Sequence, residues 1–166
     1  MKTTSNGFSL VELIVTIAII GIGTSIAVFN YNQWIRKSNI EKETRELFSD
    51  LNEARLQSIY TKKRQSIVFQ TPNRYVFKRY STLNELPANG TVIQTKYTKY
   101  AMTNTDGTAL DADTFVLFDI RGFISGPFGN TFRFNPINVA AFDCIIVSVA
   151  RTNLGQMGTG NVCFPK

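Results

Sequence analysis

The longest apolar run of the chain covers residues 8–29 and contains one ionisable side chain, Glu12. As a helix rising about 1.5 Å per residue, this run would extend about 33 Å, which is long enough to cross the hydrocarbon core of a bilayer. A carboxylate inside such a span costs roughly 2.5–3.5 kcal/mol, so Glu12 needs a partner or a function. Because no basic residue lies between Lys2 and Arg36, we expect the partner to come from outside this helix.

The helical pattern continues beyond the apolar run. Apolar or small residues recur at steps of three and four positions, while charged residues occupy the other faces. The predicted core-facing positions are Ile40, Thr44, Leu47, Leu51, Ala54 and Ser58, joined by Phe48 and Ile59. We therefore predict a single helix over about residues 8–60, with its second half covered by the rest of the chain.

After Arg64 the apolar pattern changes to a period of two, which is typical of β-strands. Residues 65–70 and 74–80 are predicted to form a hairpin, because Pro72 and Asn73 between them favour a turn. Further strands are predicted at 91–100, 114–119, 122–125, 131–134 and 144–149, and loops at 84–90, 104–113, 126–130, 135–138 and 153–161. The predicted fold is α+β, with a long N-terminal membrane-spanning helix packed on a C-terminal antiparallel β head.

A short polar leader, residues 1–7, precedes the apolar run and ends at Gly7. An ordinary secretory signal is cut after its apolar segment, whereas Gly7 lies before it, so the helix would remain in the processed protein. The sequence Gly-Phe-Ser-Leu-Val-Glu-Leu at 7–13 resembles the leader junction of type IV pilins and type II secretion pseudopilins. On the residues alone, a plain membrane anchor with an incidental acid is the alternative.

The resemblance implies specific processing and assembly residues. A prepilin peptidase would cut between Gly7 and Phe8, and the new amine of Phe8 would be N-methylated. Glu12 would then meet the Phe8 amine of a neighbouring subunit. The implied partners are other pilin or pseudopilin subunits, the prepilin peptidase and the inner membrane. The chain would cross that membrane once, with its head in the periplasm, or at the cell surface when assembled in a filament.

Within this family, the chain is similar to the GspH/FimT-like branch of minor pilins and pseudopilins. The matching stretches are Ala54-Arg55, residues 115–122, and residues 144–149 followed by Arg151. We divide the chain into a leader at 1–7, a transmembrane helix at 8–29, an amphipathic helix at 30–60 and a β-rich head at 61–166. The resemblance implies a structural subunit of a type IV pilus or a type II secretion pseudopilus, with a role in assembly or at the tip.

The composition argues against an enzyme. The chain has no histidine, which is the commonest general base and metal ligand, and it has no phosphate-binding loop. We therefore predict no catalytic residue, no metal site and no cofactor. Asp106, Asp111 and Asp113 could ligate calcium, but they lack the spacing of a known calcium loop, so a solvated acidic turn is favoured.

The two cysteines, Cys144 and Cys163, lie near the C-terminus and outside the predicted span. They are predicted to form a disulfide, which indicates an oxidising compartment; two reduced core thiols are the alternative. The stretch between them contains Gly155, Gly158 and Gly160 and is predicted to be a flexible loop.

Positive charge is concentrated between Lys62 and Lys99, where there are eight basic residues and one acid in a chain of net charge +6. On paired strands, such residues could form a patch that attracts phosphates. The candidate DNA-binding residues are Lys62, Lys63, Arg64, Arg74, Lys78, Arg79 and Arg151.

Arg151 is included by resemblance. FimT-type minor pilins that take up DNA carry a late Gly-Arg-x-Arg element, and this chain has one of its two arginines, at Arg151. A DNA-binding minor pilin of a competence pilus is therefore the alternative function. A basic face can also contact anionic headgroups or an acidic neighbouring subunit.

Overall fold

The computed structural model describes residues 7–71, 73–111, 113–126, 130–135 and 140–166, without the side chains of residues 26–30 and 71. Most of the predicted leader, residues 1–6, thus lies outside the described residues. The chain divides into two compact units, Met1–Arg36 and Lys37–Lys166. Helix α1, Leu10–Thr61, begins in the first unit and ends in the second, which confirms the long helix predicted over 8–60.

In the first unit, most of the large apolar side chains of α1 that the structure describes are exposed. Leu10, Ile14 and Ile17 are among the large apolar residues that are exposed there. The predicted span at 8–29 also includes residues 26–29, whose side chains lie outside the described part of the chain. Over the residues that the structure describes, no helix is both long and apolar enough to cross a membrane.

In the second unit, α1 buries the predicted face. Ile40, Thr44, Leu47, Leu51, Ala54 and Ser58 are all buried. The two hydroxyl groups on this face are satisfied within the helix, since Thr44 donates to the carbonyl of Ile40 at 2.8 Å and Ser58 to that of Arg55 at 2.6 Å. Ile59 was expected to join this face but remains exposed.

The β-strands form two antiparallel sheets. The strands are β1 Gln65–Thr71, β2 Arg74–Arg79, β3 Thr91–Tyr97, β4 Ala101–Asn104, β5 Phe115–Phe118, β6 Thr131–Asn135, β7 Cys144–Val147, β8 Thr152–Met157 and β9 Cys163–Pro165, with a short 3-10 helix at Pro87–Asn89. The first sheet has the order β3-β2-β1-β5, and the second has the order β4-β6-β7-β8-β9. The predicted hairpin is confirmed as β1 and β2.

Both sheets share one core with the second half of α1. Side chains of a strand alternate between its two faces, and one face of each sheet supplies apolar residues to this core. The residues of the shared core include Ile40, Leu47, Leu51 and Ala54 from α1; Ile67, Phe69, Tyr75, Phe77, Val116 and Phe118 from the first sheet; and Met102, Phe132, Phe134, Ile145 and Val147 from the second.

The prediction of a strand at 91–100 was wrong about where the strand ends. The structure ends β3 at Tyr97 and starts β4 in the other sheet at Ala101. The Glu43 carboxylate of α1 accepts the backbone N–H groups of Lys99, at 2.7 Å, and Tyr100, at 3.2 Å. Because these donors bond to the helix, the chain leaves one sheet here and enters the next.

The prediction of a strand at 122–125 was also wrong, since Ile124 forms only an isolated bridge with Phe118. The chain reverses direction at Gly122, which has a φ of +83°. The Asp119 carboxylate accepts the backbone N–H groups of Arg121 and Phe123 at 2.8 and 2.9 Å, which closes this turn.

The prediction of a loop at 153–161 was wrong for the first half of this range, which belongs to β8. Gly155 is buried and pairs with Cys144 on one side and Pro165 on the other. A Cβ atom at this position would lie 2.6 Å from the Cys163 sulfur and 2.6 Å from the Phe164 carbonyl. Gly155 therefore permits close packing of strands rather than loop flexibility.

Candidate functional site

The first candidate site is the start of α1. Phe8 is 77% exposed and precedes the helix, and Glu12 lies exposed in its first turn. Within the described residues, Glu12 takes part in no ion pair. Its carboxylate is surrounded along the helix by exposed apolar side chains such as Leu13 and Val15. The position is thus suited to a cationic partner from another chain.

The second candidate site is the basic segment, which begins where α1 passes into β1. Lys62 and Lys63 are exposed at this connection, and Lys62 has a φ of +54°. This left-handed conformation is typical of the residue that follows a helix C-terminus. The two ammonium groups are therefore accessible to a ligand.

Two of the candidate basic residues hold the loop that follows β2. The Arg64 guanidinium lies over the Tyr80 ring at 4.9 Å and donates to the Glu85 carbonyl. The Lys78 ammonium donates to the Ala88 carbonyl at 2.9 Å. These bonds attach both side chains to the loop and so stabilise the fold.

The remaining basic residues are separated. Arg74 and Arg79 lie on β2 an odd number of positions apart, so their side chains belong to opposite faces of the sheet. Arg151 is exposed at the turn between β7 and β8, where its N–H donates to the Ser148 carbonyl at 3.2 Å, and this turn belongs to the second sheet. The structure thus distributes the seven candidates over several surfaces.

An ion pair that sequence reasoning missed accounts for another cation of the segment. The Lys96 ammonium lies 2.8 Å from the Asp50 carboxylate of α1 and 3.7 Å from that of Glu46. Burial would lower the pKa of Lys96, but the hydrogen bond and negative charge of Asp50 outweigh it and raise that pKa. No local sequence pattern links two residues so far apart in the chain.

The disulfide is present as predicted. Cys144 in β7 and Cys163 in β9 are joined with a Cα–Cα distance of 6.2 Å. These strands flank β8, and Gly155 lies against both sulfur atoms. The disulfide therefore closes the C-terminal edge of the second sheet across a glycine.

The acidic residues considered for calcium form turns instead. Asp106 accepts the backbone N–H of Thr108 at 2.9 Å, and Asp111 accepts that of Asp113 at 3.2 Å. The bonds from Thr108 lower the pKa of Asp106. In the part of the chain that the structure describes, no group of three or more potential metal ligands is present.

Comparisons with known proteins gave one match to the N-terminal residues and one match to the fold. Residues 2–28 match the family model described as the prokaryotic N-terminal methylation motif. The fold is similar to the crystal structure of the type IV minor pilin FimU of Pseudomonas aeruginosa, with a TM-score of 0.53 and 11% identity. That similarity covers 79% of this chain and 96% of the FimU chain. No curated protein sequence matches significantly.

The N-terminal motif and the fold are therefore each similar to those of type IV pilins. The N-terminal methylation motif includes Gly7, Phe8 and Glu12, the residues that the sequence singled out. The helix and the two antiparallel sheets supply the pilin fold that follows it.

Proposed function

We propose that this chain is a minor pilin or pseudopilin, a structural subunit that assembles with other pilin subunits through its N-terminal helix. The observation that carries this proposal is the N-terminal methylation motif at residues 2–28, followed by a pilin fold. The fold similarity is to a minor pilin of a type IV pilus, which favours a pilus over a secretion system.

Maturation would begin at Gly7. A prepilin peptidase cuts between Gly7 and Phe8, and the released Phe8 amine is methylated. Residues 8–29 then hold the chain in the inner membrane, as their apolar composition supports. The disulfide between Cys144 and Cys163 favours a head in the oxidising periplasm.

Assembly would depend on Glu12. Its carboxylate is the one ionisable side chain of residues 8–29, and an ammonium from a neighbouring chain offsets the cost of placing it in the membrane. The Phe8 amine of a neighbouring subunit lies at the depth of Glu12 only at one axial offset of the two helices, about 6 Å or one helical turn. The pair thereby selects correctly docked subunits.

The Glu12→Ala variant tests this proposal. We expect it to be processed and inserted normally but to enter filaments on the order of tenfold less than wild type, because the amine loses its partner. The measurement is the ratio of filament-bound to membrane-bound protein in cells that assemble the related pilins. Thr16→Ala is the matched control, since Thr16 is exposed one turn further along α1 and its hydroxyl donates to the carbonyl of Leu13 in the same helix. Normal incorporation of Glu12→Ala would refute the assembly role.

A further inference from the structure

Tyr31 and Trp34 form a stacked aromatic pair on the surface of α1, within the first unit. The two residues are three positions apart, so they are neighbours on the helix surface. Their ring centroids lie 6.4 Å apart, with an angle of 22° between the ring planes. Tyr31 is 60% exposed and Trp34 is 65% exposed. The pair therefore presents a continuous aromatic surface to whatever surrounds the helix.

The pair lies just beyond the end of the apolar run at 8–29. Asn32 and Gln33, between the two aromatic residues, are polar and exposed, and the exposed Arg36 follows them. Arg36 forms no ion pair in the part of the chain that the structure describes. The aromatic pair thus marks the change from an apolar to a polar and cationic helix surface.

The distance along α1 places the pair at the depth of lipid headgroups. At about 1.5 Å per residue, the helix rises about 32 Å from Leu10 to Tyr31 and about 36 Å from Leu10 to Trp34. The hydrocarbon core of a bilayer is about 30 Å thick, and the headgroup layers extend the total to about 40–45 Å. With Leu10 at one edge of the core, both rings lie just beyond the other edge. A helix tilt of about 20° shortens these distances by only about 2 Å.

The chemistry of the two side chains fits this depth. Tyrosine and tryptophan each combine a large apolar ring with one polar group, and they are enriched where a membrane meets water. Anionic headgroups in the same layer would complement the charge of Arg36. A lipid surface therefore matches both the aromatic pair and the cation that follows it.

We propose that Tyr31 and Trp34 bind the headgroup layer at the membrane surface distal to Phe8 and fix the depth of α1 in the bilayer. This inference rests on the proposed insertion of residues 8–29. Because Glu12 lies in the first turn of the same helix, fixing the depth of α1 also sets the depth of its carboxylate. The aromatic pair would thereby hold Glu12 at the level where the amine of a neighbouring subunit meets it.

Trp34 is the chain's one tryptophan, so its fluorescence reports its own depth. The full chain is reconstituted in vesicles of phosphatidylcholine and phosphatidylglycerol. The phosphatidylcholine carries bromine, which quenches tryptophan, either near the headgroup or near the end of the acyl chain. We expect the shallow bromine to quench Trp34 roughly twofold more than the deep one, as for a ring at the interface.

A second reporter separates this inference from the proposed insertion. The double variant Ile20→Trp and Trp34→Phe places the reporter about 15 Å along the helix from Leu10, which is the middle of the hydrocarbon core. The deep bromine should quench it more than the shallow one. If neither lipid quenches this reporter, residues 8–29 do not enter the bilayer and both proposals fail.

If the Ile20→Trp reporter is deep, two results for Trp34 would overturn this inference alone. The first is stronger quenching of Trp34 by the deep bromine, which would place the ring in the hydrocarbon core. The second is quenching by neither lipid with a blue-shifted emission, which would place the ring against another protein chain.

A last comparison tests whether the rings fix the depth of the helix. Tyr31→Ala and Trp34→Ala are introduced together, with Ile20→Trp as the reporter. We expect the ratio of deep to shallow quenching of this reporter to fall roughly twofold, because the helix loses its interfacial anchor. Asn32→Ala and Gln33→Ala, introduced together in the background of Ile20→Trp and Trp34→Phe, are the matched control and should leave the ratio unchanged. An unchanged ratio without the two rings would overturn their role in positioning α1.

Discussion

The Tyr75 hydroxyl of β2 donates a hydrogen bond to the Asp50 carboxylate of α1 at 2.5 Å. The other oxygen of Asp50 accepts from Lys96 of β3 at 2.8 Å, so one buried carboxylate joins the helix to two strands. Burial, followed by the bond to Asp50, raises the pKa of Tyr75, which keeps the hydroxyl protonated as the donor.

We expect Asp50→Ala to destabilise the second unit by about 3 kcal/mol, because it leaves Lys96 and Tyr75 without their acceptor. Urea unfolding of the full chain in neutral detergent, followed by circular dichroism, would show a lower midpoint at an unchanged slope. Tyr75→Phe should cost only about 1 kcal/mol, since the ion pair remains. Glu46→Gln is the control and should cost less than about 1 kcal/mol, because Glu46 is half exposed and lies 3.7 Å from Lys96. An Asp50→Ala midpoint equal to that of Glu46→Gln would contradict this prediction.

The turn at Asp119 predicts a dependence of stability on acidic pH. Burial alone would raise the pKa of Asp119, but bonds from the N–H groups of Phe123 and Arg121 and from the Arg121 side chain lower it below its ordinary value. The unfolded chain therefore takes up the proton first as the pH falls. The contribution of Asp119 is full above its unfolded pKa and is lost as the pH falls through the folded pKa.

We expect Asp119→Asn to reduce this loss, by less than about 1 kcal/mol because the side chain is partly solvated. The measurement is the free energy of unfolding at about pH 5 and about pH 2.5 for wild type and variant. Asp113→Asn removes an exposed acid and controls for the change in net charge. Equal acid sensitivity of wild type and Asp119→Asn would show that the turn makes no such contribution.

Processing is tested at Gly7. We expect Gly7→Glu to block the cut, because the peptidase would meet a bulky charged side chain directly before Phe8. Intact-mass measurement of protein from cells that contain the peptidase should give a chain starting at Phe8 with an added methyl group in wild type, and one starting at Met1 in the variant. Thr4→Ala, in the same leader, should be cut normally. Wild-type protein that still began at Met1 would rule out this maturation.

Local patterns were sufficient for much of the fold. The face containing Ile40, Leu47 and Leu51 follows helical spacing, so its burial could be predicted from neighbours three and four positions away. The first hairpin could be predicted because Pro72 and Asn73, between its two strands, favour a turn. The motif around Phe8 and Glu12 is contiguous in sequence, and it was therefore recognisable without a structure.

Features that depend on distant residues could not be predicted. The break after Tyr97 depends on Glu43, which lies far away in α1. Gly155 in β8 is packed against both sulfur atoms of the disulfide that links β7 to β9. Likewise, the proximity of Gln65 to Arg79 follows from strand register, and no composition rule reveals it.

Binding of duplex DNA is the alternative that the basic segment raised, and we expect the full chain in neutral detergent to show none. Binding to a duplex depends on several phosphate contacts made together, whereas here Arg64 and Lys78 bond to carbonyls of their own chain and Arg151 belongs to the other sheet. Lys62 and Lys63 are exposed, but two lysines alone would neutralise only about two phosphates.

Fluorescence anisotropy with a labelled duplex at low salt, repeated at increasing salt, measures this. Binding that falls steeply with salt would contradict the expectation, because counterion release requires several phosphate contacts. The joint variant Lys62→Gln and Lys63→Gln, Arg151→Gln alone, and Lys42→Gln as a control on exposed α1 would then locate it. Loss only in Arg151→Gln would assign DNA capture to the turn between β7 and β8, and loss only in the double lysine variant would assign it to the end of α1.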